Sequence, residues 1–165
     1  MSLIEAIEYS AFAEWVRSSP SIFAYIFILS LHAMGLAVIV GVNTLVALRL
    51  LGFVPGLSIG ALRKTYPWMY FAFTINALSG LALLAANLSA DLENVMFLLK
   101  LAFVALAMIN LELMRARIFD DPAALTAPDF TSRARPYAIA SIALWALAVI
   151  TGRLTAYPGV VDSIF

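Results

Sequence analysis

The sequence predicts an all-α protein: a polytopic membrane four-helix bundle preceded by an N-terminal interfacial amphipathic helix. Three observations carry this expectation. Hydrophobic residues make up 64% of the 165 and charged residues 12%, with a mean hydropathy of +0.98. A soluble domain of this length needs more charge to cover its surface. The apolar residues also gather into four long stretches, each near or above the roughly 20 residues that cross a bilayer core. Finally, the prolines are expected at the boundaries of these stretches and none inside a span, since an interior proline breaks the helical ladder.

Composition narrows the function classes. Formal net charge is zero, and no basic block points to nucleic acid. The absence of cysteine removes disulfides, thiolate metal sites and iron–sulfur clusters together. The length suits one transmembrane domain over residues 1–165. Glu5, Glu8 and Glu14 against Arg17 are the reverse of a basic signal-peptide start, and no lipidation signal is expected.

Residues 3–18 read as the interfacial helix: Leu3, Ile7, Phe12 and Trp15 can share an apolar flank while the glutamates turn to water. Ser18, Ser19 and Pro20 supply a cap and a proline suited to starting a helix. The first span is expected over 21–51. A loop with Pro55, Gly56 and Gly60 leads to the second, 67–88. A tight acidic turn with Asp91 and Glu93 joins it to the third, 95–118. The longest loop, polar and proline-punctuated, precedes the fourth, 137–157.

Charge sets the expected orientation. Arg49, Arg63 and Lys64 flank one loop and Arg115, Arg117, Arg133 and Arg135 another, whereas the opposite side carries Glu5, Glu8, Glu14, Asp91, Glu93 and Asp162. The positive-inside rule then puts both basic loops in the cytoplasm and both termini outside, in the periplasm of a bacterial inner membrane. Tyr66, Trp68 and Tyr137 fall at the inner interface, Trp15 and Tyr157 at the outer.

Helical spacing gives each span one polar or small face: His32, Gly35 and Asn43 on the first; Met69, Asn76, Ser79, Gly80 and Asn87 on the second; Lys100, Ala107, Asn110 and Met114 on the third; Ser141, Trp145, Ala148 and Gly152, with Arg153 adjacent, on the fourth. Asparagines at such positions often only join helices, and the methionines read as packing residues. Glu112, three residues before Arg115, reads as half of a helix-surface ion pair.

His32, the single histidine, falls about 15–18 Å deep at 1.5 Å per residue, near the midplane. An ionisable group at that depth is costly and is read as part of a site. One reading makes it the axial ligand of haem b, with Lys100 and Arg153 neutralising the propionates. A second is copper held by His32 and methionine sulfur, although no close methionine cluster is present. A third is a quinone hydrogen-bonded by His32 and Asn76. A fourth is a non-enzymatic membrane or assembly subunit, in which His32 bonds to Asn76 or a backbone carbonyl and the outer cations snorkel to carboxylates. No Ser–His–Asp set, HExxH or phosphate loop supports catalysis. Proton relay would need further titratable groups at depth.

Two stretches, "LHAMGLAVIVGVNTLVALRLLG" from Leu31 to Gly52 and "WALAVITGRLTAY" from Trp145 to Tyr157, carry a likeness over much of the chain. It resembles an uncharacterised family of bacterial four-helix inner-membrane proteins. That resemblance implies His32, Arg49, Lys100, Asn110, Arg153 and Tyr157 as shared functional positions, and it departs at Ala47, where an acidic residue is expected. A fainter likeness is to the membrane part of copper-resistance protein D and to small b-type cytochromes.

The sequence thus gives as cofactor-binding candidates His32, Asn76, Lys100, Asn110 and Arg153, with His32 as the metal ligand, haem b or copper as the candidate cofactors and no catalytic residue. The expected partners are the lipid bilayer and further copies of the chain or other membrane subunits.

Overall fold

The structure, a computed structural model, describes residues 3–122, 125 and 129–157. Among these there is no strand; helices α1 (Leu3–Glu8), α2 (Ala11–Ser18), α3 (Tyr25–Leu50), α4 (Ile59–Arg63), α5 (Tyr66–Ala86), α6 (Leu88–Glu93), α7 (Val95–Met114) and α8 (Phe130–Leu154) follow one another. A π-helical turn, Arg115–Phe119, continues α7. Four segments, Tyr25–Leu50, Ile59–Ala86, Val95–Phe119 and Phe130–Leu154, are long and apolar enough to cross a membrane. Along them Ile26, Phe71, Leu78, Leu81, Ile109 and Ile150 are more than half exposed, which lipid tolerates and water does not. The chain is a multi-pass membrane protein.

The chain forms two compact units, Met1–Ile39 with Trp68–Val95, and Val40–Pro67 with Met96–Phe165. In the first unit the expected single helix over residues 3–18 is two helices. Ser10 interrupts it, because its hydroxyl accepts from the Ala13 amide at 3.2 Å and so starts α2 afresh. Ala13 and Val16 are the buried side of α2, while Phe12 and Trp15 stay exposed with ring centroids 6.3 Å apart. Glu8 does not turn to water as expected. Its carboxylate accepts from the Ser89 amide at 3.1 Å and from the Ser89 hydroxyl. The segment expected as a tight acidic turn is the short helix α6, with the Glu8 carboxylate against its Ser89 amide. Arg17 completes the clamp, donating to the Ala86 carbonyl at the end of α5 (2.8 Å), to the Glu8 carbonyl (3.2 Å) and to Glu14 (2.8 Å). The first span starts at Tyr25 and not Ser21, since the Ser19 and Ser21 hydroxyls accept nearby amides and hold Ser21–Ala24 in a turn.

The second unit holds the rest of α3 with α4, α7 and α8. Asn43, fully buried, accepts from the Ser141 hydroxyl at 3.3 Å. The α4 end is tied to the π turn by Arg63–Asp120 at 2.9 Å and by an edge-on Tyr66–Phe119 ring pair. Glu112 and Arg115 stand 3.4 Å apart, the helix-surface pair that their spacing predicts. Pro136 corrects the expectation that no proline lies inside a span: α8 begins at Phe130, seven residues before the expected start, and carries Pro136 within it. The proline removes only the bond to the Ser132 carbonyl, within two turns of the helix start, where solvent can reach that oxygen. Asp162, assigned to the outer side, lies outside the described residues.

Candidate functional site

The close approach of α3 and α5 within the first unit is dictated by small residues. A Cβ added to Gly35 would meet the Ala72 carbonyl oxygen at 2.8 Å and the Asn76 amide nitrogen at 2.9 Å. No other residue lets the two backbones come so near, the usual device where no hydrophobic effect drives helices together in lipid. One turn before Gly35 stands His32, half-buried. Its ring packs on Gly80, where a Cβ would fall 2.9 Å from Cε1.

The polar contacts at this crossing are reciprocal. His32 Nδ1 lies 2.8 Å from the Asn76 backbone carbonyl, and Asn76 Nδ2 donates to the His32 carbonyl at 2.7 Å. A carbonyl only accepts, so Nδ1 carries the hydrogen and the lone pair of the neutral ring sits on Nε2. The Ser79 hydroxyl donates to the Ile75 carbonyl at 2.6 Å and stands 3.4 Å from Nδ1. Asn76 and Ser79 are both buried. The contacts from α5 thus hold the histidine in one tautomer and one orientation.

The second unit places the other candidates. Lys100, half-buried on α7, lays its stem against Gly152 of α8, with Cδ 3.3 Å from where a Cβ would be. Its ammonium stands 5.5 Å from the Phe97 ring centroid. Arg153, the residue after Gly152, is exposed and donates to the Tyr157 hydroxyl at 2.8 Å while lying over the same ring. Lys100 and Arg153 therefore sit at one level of α7 and α8. Asn110 is buried and donates to the Tyr137 carbonyl at 3.0 Å, a helix-joining bond. Arg49 donates to the Leu57 carbonyl and so closes the loop after α3. Asn87, expected on the polar face of the second span, is exposed and stands before α6.

Two features carry no role in the sequence reading. Gly80 is visible in the sequence only as a small residue, and its use as a seat for the imidazole needs coordinates. Trp145 is 2% exposed and its indole N–H has no acceptor among the described residues. A buried donor without a partner costs about 1–3 kcal/mol, so such a group marks a place where a water or ligand oxygen is expected.

Among the described residues no group of three or more His, Asp or Glu side chains could hold a metal ion. A bare ion would lack carboxylate and further imidazole donors, whereas a porphyrin brings four nitrogens of its own and asks the protein for an axial ligand. Comparison of the chain with protein-family models, with curated proteins and with solved structures finds no match.

Proposed function

We propose that this chain is a cofactor-binding subunit of the bacterial cytoplasmic membrane, with both termini on the outer face, and that His32 is an axial ligand to a b-type haem through Nε2. The observation that carries the reading is the 2.8 Å contact from His32 Nδ1 to the Asn76 carbonyl. Metal-ligating histidines ordinarily donate their other ring N–H to a carbonyl or carboxylate, which fixes the tautomer and raises the basicity of the ligating nitrogen. Gly80 seats the ring and Asn76 holds the His32 backbone, so the imidazole is oriented before any ligand arrives. Bound haem supplies one-electron chemistry. The chain's own part is to present Nε2 and to exclude water at bilayer depth. With one imidazole per chain, a further ligand to the iron would come from a second copy or from a small exogenous molecule, and the haem-to-protein ratio tells the two apart.

A visible spectrum of the protein purified in mild detergent tests this. The expected result is a Soret band that is lost in His32→Ala and kept in Asn110→Ala. A colourless protein that also fails to take up added haem overturns it, and copper analysis of the same sample decides the alternative metal. The second reading is a non-enzymatic membrane or assembly subunit, favoured by the fact that His32 and Asn76 satisfy one another across α3 and α5. That reading expects a colourless protein without copper.

A further inference from the structure

A cavity of about 570 Å³ opens within the second unit, lined by Asn110, Arg117, Ile118, Arg133, Pro136 and Tyr137. Its position follows from local backbone features. The Asp120 amide bonds to the Arg115 carbonyl at 2.9 Å, an i to i+5 closure that forms the π turn carrying Arg117. Such turns recur at functional sites because they re-aim the side chains of one helical face. On the other wall, α8 brings Arg133, Pro136 and Tyr137 to the cavity.

The polar side chains of the lining are Asn110, Arg117, Arg133 and Tyr137, and the two charged groups among them are donors only. The Arg117 guanidinium donates to the Tyr137 hydroxyl at 3.1 Å, which leaves the phenolic hydrogen to give to another acceptor. Asn110 fixes the Tyr137 backbone from the opposite side. Two carboxylates nearby in sequence are engaged elsewhere: Asp120 by Arg63 (2.9 Å) and Arg115 (3.5 Å), and Glu112 by Arg115 (3.4 Å). Among the described residues no carboxylate lies within ion-pair distance of Arg117 or Arg133. The remaining lining, Ile118, Pro136 and Ala140, is apolar. Two guanidiniums and a phenol over an apolar floor match an amphipathic anion.

We infer that this cavity binds a phosphate-bearing anion, the headgroup of an acidic phospholipid in the adjoining leaflet. Guanidiniums recognise phosphate oxygens in a planar, bidentate fashion. Basic pockets at the ends of membrane helices are a common way to hold anionic lipid. The volume lies within the 300–1,000 Å³ of ordinary ligand sites and is more than inorganic phosphate needs, which favours a lipid carrying glycerol and the first methylenes. This site is independent of His32 and of whether haem is bound.

The test is thermal unfolding and native mass spectrometry of the whole chain in neutral detergent with added phosphatidylglycerol, phosphatidylcholine or inorganic phosphate. Phosphatidylglycerol is expected to raise the melting temperature and to remain bound, with phosphatidylcholine inert. Arg117→Gln with Arg133→Gln weakens binding about twenty-fivefold, the product of about fivefold per arginine at an anionic surface. Should that double variant not accumulate, Arg133→Gln alone serves, since Arg133 is exposed, and about fivefold is expected. Equal stabilisation by inorganic phosphate, lost in the same variants, assigns the site to a free phosphate source. Equal binding of phosphatidylcholine, or unchanged phosphatidylglycerol binding in the variants, overturns the inference.

Discussion

Substituting Gly35 by alanine should disable the histidine without touching it. The added Cβ would lie 2.8 Å from the Ala72 carbonyl oxygen, 2.9 Å from the Asn76 amide nitrogen and 3.0 Å from Asn76 Cβ, while ordinary contact begins at 3.4 Å. Two of these obstacles are backbone atoms of α5, so no rotamer change relieves them. The helices must part by about 0.6 Å to restore normal contact. The His32 Nδ1 to Asn76 carbonyl distance, 2.8 Å, then stretches to about 3.4 Å, beyond the usual 2.7–3.2 Å for N–H···O bonds. Overpacking costs about 1–3 kcal/mol. Losing the two cross-helix hydrogen bonds adds about 0.6 kcal/mol each on the average seen in membrane proteins. The expected destabilisation of Gly35→Ala is therefore about 2–4 kcal/mol. Reversible unfolding in mixed micelles reads it, with Gly41→Ala as control because a Cβ there meets nothing within 4 Å. A double cycle with His32→Ala should show coupling, since the second change finds the bond already broken. Gly35→Ala within about 0.5 kcal/mol of the parent, the scatter of inert surface changes, would refute the close-approach argument.

Two further outcomes follow from the same unit. Gly80→Ala sets a methyl 2.9 Å from His32 Cε1 and 3.2 Å from Nδ1, so the ring swings away from the Asn76 carbonyl; any His32-dependent Soret band should weaken more than tenfold while circular dichroism stays unchanged, and an unaltered band would show that Gly80 does not set the ring's position. At the other end, the Ser89 hydroxyl and amide, then Arg17, hold the Glu8 carboxyl below its ordinary 4.5, and hydrogen bonding to Arg17 does the same for Glu14. A lowered folded value means the stabilisation is complete above pH 4.5 and is lost as pH falls through the folded values. Hydrogen exchange over α1 and α2, corrected for its intrinsic rate, should therefore rise below about pH 4.5, and Glu8→Gln should show raised exchange at neutral pH; flat protection down to pH 3 would remove charge from the clamp.

The sequence by itself determined the membrane address and the four apolar helices, because span length and hydropathy answer to the bilayer and not to neighbouring residues. It also determined that His32 would share a face with Gly35 and Asn76 with Ser79 and Gly80, since helical periodicity is a local property. Helix ends were less legible. Ser10, Ser21 and the Glu8–Ser89 contact redirect the backbone through single hydrogen bonds that hydropathy does not weigh, and Pro136 marks the edge of an apolar run but not of a helix. Only tertiary structure decided that the imidazole donates through Nδ1 to a backbone carbonyl, that Gly35 and Gly80 make room for that contact, and that Arg117, Arg133 and Tyr137 line one cavity. Each depends on a distance between residues far apart in the chain, where a few tenths of an ångström separate a hydrogen bond from a clash.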